Sequence, residues 1–282
     1  MNTNNKVAVI TGAASGIGLA LTKACLREGM NVVMADIAKL ELEASADLLR
    51  DSRTSEIITM VCDVTDFSEV KKLASLTYSH FNEVDLLINN AGISGNIAPL
   101  WELSTEDIRQ VIDVNLYGVI HGVKAFIPLM FKQQNPAHIV NMASIYGLCS
   151  GSQMAPYAMS KHAIVAMSES LYFDFQRLKK SIDISVVCPS FANTQLLTNS
   201  KNPSSTKLHS LITNLMERSR PVEDLADYIM AEIRKKTFYI LPDKEVKAYC
   251  EARTAAIINQ SAPDQHSLEK IIAALSKRAN AC

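Results

Sequence analysis

Val7-Ala8-Val9-Ile10-Thr11-Gly12-Ala13-Ala14-Ser15-Gly16-Ile17-Gly18 is the stretch on which the fold turns. Five apolar or β-branched residues read as a buried strand, the glycine-rich segment as a tight turn, and Ile17 onward as a helix. Glycine tolerates the turn and lets the backbone approach a pyrophosphate, while a helix start offers free N–H groups and the positive end of its dipole. An ordinary glycine-rich turn is the plain alternative. The strand–turn–helix setting favours a phosphate cradle built from Gly12, Ser15, Gly16, Ile17 and Gly18.

The same alternation continues along the chain. Residues 7–11, 31–35, 57–62, 84–89, 138–142, 182–188 and 238–241 each read as a short apolar strand. Amphipathic stretches at about 17–29, 39–51, 67–81, 105–133 and 157–179 lie between them, with a further helix started by Pro221. Near-continuous apolar strands separated by helices predict an α/β fold. Its core is a doubly wound, Rossmann-type, seven-stranded parallel sheet with helices on both faces. Residues 1–242 read as one domain. Within it, 195–219 form a long insertion with a loop signal at Asn199–Ser205 and a helical pattern at 207–218, expected to act as a substrate lid. Residues 243–282 read as two helices broken at Ser261-Ala262-Pro263-Asp264. This tail is too small for a domain of its own and is expected to pack on the domain or on an interface.

Composition sets outer bounds. The chain has 282 residues, 48% of them apolar and 20% charged, enough for a sizeable core. The formal net charge of −1 gives no global attraction to nucleic acid or to an anionic membrane. A polar N-terminus without a secretory apolar segment, and no 18-residue apolar run, predict a cytoplasmic protein with no membrane partner. The six cysteines are scattered, with no CxxC pair, and read as reduced thiols. Six dispersed histidines give no metal-ligand spacing, so no metal is expected.

Further polar clusters fall at the carboxyl ends of strands, where ligands bind in open α/β sheets. Asp36 ends the second strand; its carboxylate can accept hydrogen bonds from both adenosine ribose hydroxyls and would repel a 2′-phosphate. This favours NAD, with Lys39 near enough to keep NADP as the alternative, and a simple turn-capping Asp as the bland one. Asp63 and Val64 follow the third strand and can meet an adenine edge by side chain and backbone. Asn90, Ala91 and Gly92 follow the fourth, where Asn and Gly suit a sharp turn with backbone turned toward a ligand.

Tyr157 and Lys161 lie four apart, on one face of a helix, with Ser144 thirteen residues upstream. A phenol titrates near ~10, and an adjacent ammonium is expected to bring it toward neutrality. Such a pair beside a serine hydroxyl suits the making and breaking of alcohols. By itself the spacing fits a solvated helix surface equally well.

Taken jointly, in this order and spacing, Thr11–Gly18, Asp36, Asp63, Asn89–Gly92, Asn115, Ser144, Tyr157-x-x-x-Lys161 and Pro189…Thr194 resemble the short-chain dehydrogenase/reductase family. The branch is the single-domain one with TGxxxGxG and YxxxK, and the resemblance covers about residues 5–242. It implies hydride transfer between a nicotinamide and a carbinol carbon. Tyr157 is then the general acid/base. Lys161 lowers its pKa and binds the nicotinamide ribose, Ser144 donates to the substrate oxygen, and Asn115 holds a water that relays protons from Lys161. Asn115 alone would read as a helix amide bonded to nearby backbone. The resemblance further implies that Pro189, Phe191, Ala192 and Thr194 face the nicotinamide, although Ser190 and Ala192 stand where the family usually has Gly and often Val.

Pocket walls are expected from 93–98, 145–154, Phe191 and the 195–219 insertion. The first three carry no charged residue, which predicts an uncharged, rather apolar small-molecule substrate. His162 is expected to be structural, and His209 to be exposed or to touch substrate. The family resemblance implies a homodimer or homotetramer through the helices at about 105–133 and 155–180. Two alternatives stay open: an NADPH-dependent carbonyl reductase, and a non-catalytic NAD(H)-binding regulator or scaffold on the same fold.

Overall fold

The computed structural model describes residues 3, 5–50, 55–190, 220–263 and 269–270. Phe191, Ala192, Thr194, the 195–219 insertion with His209, and the second tail helix beyond Pro263 fall almost wholly outside the described residues. Along the chain run β1 (Val7–Thr11), α1 (Gly16–Arg27), β2 (Asn31–Asp36), α2 (Lys39–Arg50), β3 (Ile57–Val61), α3 (Phe67–Phe81) and β4 (Leu86–Asn89). Then follow α4 (Thr105–Ile112), α5 (Gly118–Met130), β5 (Ala137–Met142), α6 (Ala155–Leu178), β6 (Ile182–Val187), α7 (Val222–Arg234), β7 (Tyr239–Ile240) and α8 (Lys244–Ile258).

The seven strands form one sheet in the order β3-β2-β1-β4-β5-β6-β7, every neighbouring pair parallel. Alternate strand residues feed opposite faces. Ala8, Ile10, Val32, Met34, Ile88 and Val140 join α1, α2 and α7 in one apolar layer. Val9, Val33, Leu87, Ile139 and Ile184 meet α3, α5 and Phe175 of α6 in the other. β1 has β2 on one side and β4 on the other, so the chain reverses its winding there and opens a crevice at the strands' carboxyl ends.

Local chemistry sets the helix ends. Asp66 accepts from the Ser68 N–H at the start of α3, and Asn82 closes that helix in the left-handed region at φ 65°. Ser104 and Asp107 form a reciprocal capping box on α4. Pro156 sits in the first turn of α6, where its missing N–H costs nothing. The helix expected over 105–133 is not uniform. Asp113–Tyr117 form a π-helical turn between α4 and α5, with the Gly118 N–H reaching back to the Asp113 carbonyl. An amphipathic pattern does not distinguish i+5 from i+4 bonding, and such widened turns gather at functional positions. Among the described residues no helix is long and apolar enough to cross a membrane.

Candidate active site

The glycine loop joins β1 to α1 and is locked to the end of β4. The Asn90 amide donates to the carbonyls of Thr11 (2.9 Å) and Gly12 (3.1 Å), and the Thr11 hydroxyl accepts from the N–H groups of Asn90 (3.0 Å) and Ala91 (3.2 Å). Asn90 is therefore a brace between two loops as well as a turn residue. Gly12 has φ +66°, and a Cβ there would sit 2.9 Å from Ala91 Cα. A Cβ on Gly18 would lie 2.0 Å from the Gly12 carbonyl oxygen. Both glycines are thus demanded by backbone packing. Ser15 caps none of the first N–H groups of α1 with its side chain, which leaves that helix start suited to phosphate.

At the tip of β2, Asp36 accepts from the Ala14 and Ala38 N–H groups, each at 3.0 Å. The carboxylate is held beside the glycine loop and retains lone pairs for ribose hydroxyls. Asp63 follows β3, with Oδ1 taken by the N–H (2.9 Å) and hydroxyl (2.8 Å) of Thr65. The Val64 carbonyl is already bonded to His121 Nδ1 at 2.8 Å, so an adenine edge is left the Asp63 carboxylate and the Val64 N–H. His121 was not legible from spacing, because α5 and the β3 end meet only in three dimensions. These fixed donors and acceptors, with the glycine cradle, fit a dinucleotide lying across the crevice.

The candidate reacting residues lie at the carboxyl tips of β4, β5 and β6. Ser144 follows β5, and its hydroxyl hydrogen-bonds Tyr157 of α6. Lys161, one turn on, is buried with only 4% exposure, and its Nζ donates to the Met142 carbonyl at 2.9 Å. Nζ also lies 5.5 Å from the centre of the Tyr157 ring. Near it, a Cβ on Gly92 would be 3.5 Å from Nζ and 3.2 Å from Asn115 Oδ1. Asn115 itself sits in the π turn, fully buried. Its Oδ1 accepts from the Ile93 N–H (2.8 Å), and its amide donates to the Ile93 carbonyl (2.9 Å) and to Ser160 Oγ (3.2 Å). The side chain is thereby tied to Ile93 and Ser160, with one Oδ1 lone pair unused by these bonds. Pro189 follows β6, and its carbonyl accepts from the Ile145 N–H at 2.7 Å.

Titration runs against one expectation. Burial pushes the Tyr157 phenol up to about 12, opposed by the hydrogen bond from Ser144. Burial also brings the Lys161 ammonium down to about 8. Two groups that share a dry site both resist charging. In the protein alone, the hydrogen bond from Ser144 eases ionisation of the tyrosine.

One apolar cluster surrounds the phenol: Ile97, Val111, Ile145, Tyr146, Cys149, Met154, Ala158 and Val246. Val246, with Tyr249 and Cys250, belongs to α8, so the tail helix packs against the cluster around the phenol, which the expected lining omitted. Their i, i+3, i+4 spacing marks a buried face, although not what it faces. Farther along, the Glu269 carboxylate accepts from the Ser152 N–H at 2.9 Å, bringing a charge beside the 145–154 segment. His162 is structural, its Nδ1 bonded to the Ala158 carbonyl at 2.9 Å. All five cysteines among the described residues are free.

The family model described as short chain dehydrogenase matches residues 6–204. The chain belongs to the short-chain dehydrogenase family. Among its relatives, this family member is 32% identical to the "CLA biosynthesis dehydrogenase/reductase" of Lactiplantibacillus plantarum, over 95% of this chain and 98% of that one. It is 32% identical to rat (Rattus norvegicus) "15-hydroxyprostaglandin dehydrogenase [NAD(+)]", over 70% of this chain and 72% of the relative. A Burkholderia phymatum short-chain dehydrogenase/reductase solved in complex with NAD superposes with a TM-score of 0.89 at 34% identity, covering 94% of this chain and 99% of that one.

Proposed function

We propose that this enzyme moves a hydride between NAD(H) and an uncharged, rather apolar secondary alcohol or ketone. What carries the reading is the meeting of Ser144, Tyr157 and Lys161 beside the Gly92 turn, in a pocket walled by apolar side chains. The relatives are named as dehydrogenases and reductases, one of them NAD-dependent, and the solved Burkholderia phymatum enzyme holds NAD. When bound, oxidised nicotinamide accepts the hydride and adds positive charge to the site.

The chain's own groups do the rest. Ser144 Oγ donates to the substrate oxygen and holds it at the phenol. Tyr157 takes the alcohol proton in oxidation and returns it in reduction. Lys161 binds the ribose and stabilises the phenolate as the site becomes charged. Asn115, in the π turn, holds the water that connects Lys161 to solvent. The substrate class rests on the wall of Ile97, Tyr146, Met154 and Val246. A panel of secondary alcohols, followed by NADH fluorescence, is expected to give turnover with lipophilic members. Turnover confined to small dicarboxylates would overturn the substrate class; NAD binding without turnover on the whole panel would overturn the catalytic reading.

Asp36 gives the cofactor preference. Asp36→Asn keeps an acceptor near Ala14 but loses the charge that grips ribose hydroxyls and repels a 2′-phosphate. NAD affinity is expected to fall roughly tenfold, in keeping with a charge-assisted hydrogen bond, while NADP binding improves. Fluorescence titration of both cofactors measures this, and an unchanged NAD:NADP ratio would remove Asp36 from the discrimination.

A further inference from the structure

Asp243 opens the C-terminal extension, at the residue before α8. It occupies the N-cap position there, yet its side chain caps no helix N–H. The carboxylate, only 11% exposed, turns back toward β6 and accepts from the Ser190 N–H at 2.9 Å. Its other oxygen lies 3.7 Å from the Arg220 guanidinium. Arg220 also donates to the Pro242 carbonyl at 3.2 Å and sits 5.8 Å over the Tyr228 ring.

The N–H that Asp243 holds belongs to the same peptide plane as the Pro189 carbonyl. That carbonyl accepts from Ile145 N–H at 2.7 Å. Ile145 directly follows Ser144. The Ser144 N–H is turned to the Cys188 sulfur, and its Oγ accepts from the Tyr146 N–H at 3.3 Å. The serine is therefore located by its neighbours' backbone, and one of those supports runs through a single peptide plane to the partly buried Asp243 carboxylate. A carboxylate on the N–H side polarises the amide and strengthens its carbonyl as an acceptor on the other side.

We infer that Asp243 is a positioning residue for Ser144, acting through the Pro189–Ser190 peptide and the Ile145 N–H. The extension is thereby wired to the reacting end as well as packed on it through Val246. The inference rests on the proposed role of Ser144 for its kinetic arm, while its structural arm is independent of activity.

Asp243→Ala is expected to lower kcat about tenfold, with KM for NAD changed less than about twofold. In a Ser144→Ala background the same change is expected to cost less than about twofold, because groups acting through one another are not additive. Asp243→Asn, whose amide oxygen still accepts from the Ser190 N–H, restores most of the loss. Should Asp243→Ala not fold, Asp243→Gln carries the test, since its extra methylene displaces the acceptor, and the same losses are expected. Hydrogen exchange read by mass spectrometry supplies the second arm. Amides in the peptide containing Ile145 and Tyr146 are expected to lose protection in Asp243→Ala or Asp243→Gln and to keep it in Asp243→Asn, whether or not a substrate has been found. Additive kinetic losses, or unchanged protection of Ile145, would overturn the inference. A lack of turnover in the wild type with the exchange result as expected would fault the proposed reaction and leave the Asp243 link standing.

Discussion

Tyr157→Phe is expected to abolish turnover while leaving NAD binding within about twofold of the wild type. The substitution removes one oxygen and keeps the ring. The ring is a packed element in its own right: it is T-shaped against Tyr146 at 6.0 Å and lies in the apolar cluster with Ile97, Met154 and Val246. None of these contacts needs the hydroxyl, so the melting temperature should move little. The hydroxyl is the group in the cluster that Ser144 hydrogen-bonds, and so the one placed to exchange a proton with an alcohol held by Ser144. Losing a positioned acid/base costs roughly 10²–10⁴-fold in rate. The pH profile gives a second reading of the same group. In the protein alone the phenol titrates high, pushed up to about 12 by burial, so its base form is scarce at neutral pH. Alcohol oxidation, which needs the base form, should climb toward alkaline pH, and ketone reduction, which needs the acid form, should not. Stopped-flow rates in both directions across pH 6–10 check this. A Phe variant retaining wild-type rate would dismiss Tyr157 as the acid/base.

The parts of this site carried by local chemistry were readable in the chain. Gly12 and Gly18 announce themselves because a turn that close to another backbone admits no Cβ. Asp36 announces itself by ending a strand beside the glycine loop. Tyr157 and Lys161 share a helix face whatever the helix packs on. The rest depends on what tertiary structure brings near. The π turn that carries Asn115 has the same apolar pattern as an unbroken helix. The tying of the Asn115 amide to Ile93 and Ser160 needs three segments that are distant in sequence. The sign of the Tyr157 shift follows from burial, which no spacing reports. Asp243 lies 99 residues from Ser144 and meets it through a third segment, so neither residue type nor interval pointed to the link.

Lys161→Met is expected to destroy activity and at the same time to make the protein more stable. Lys161 is an ammonium at 4% exposure; among the described residues it makes one hydrogen bond, to the Met142 carbonyl, and is paired with no carboxylate. Burial brings it down to about 8 from the ordinary lysine value of 10.5, a difference worth about 3 kcal/mol against the folded state at neutral pH. Below pH 8 the group is charged in both folded and unfolded chains, and the whole cost is present. Between pH 8 and 10.5 the folded protein gives up the proton first, the unfolded chain binds more protons, and stability rises with pH. Methionine matches the stem, carries no charge, and forfeits the one hydrogen bond, which offsets about 1 kcal/mol of the gain. The net expectation is a rise of a few degrees in melting temperature at pH 7 that shrinks toward pH 10. Turnover should fall roughly 10²–10⁴-fold, because the phenolate loses the cation that would balance it, and NAD affinity roughly tenfold with the ribose contact. Thermal melts of both proteins at several pH values decide the matter. A variant less stable than the wild type at neutral pH would mean that the ammonium is compensated in the fold. The lysine would then be structural cement, not a charge held under strain for the reaction.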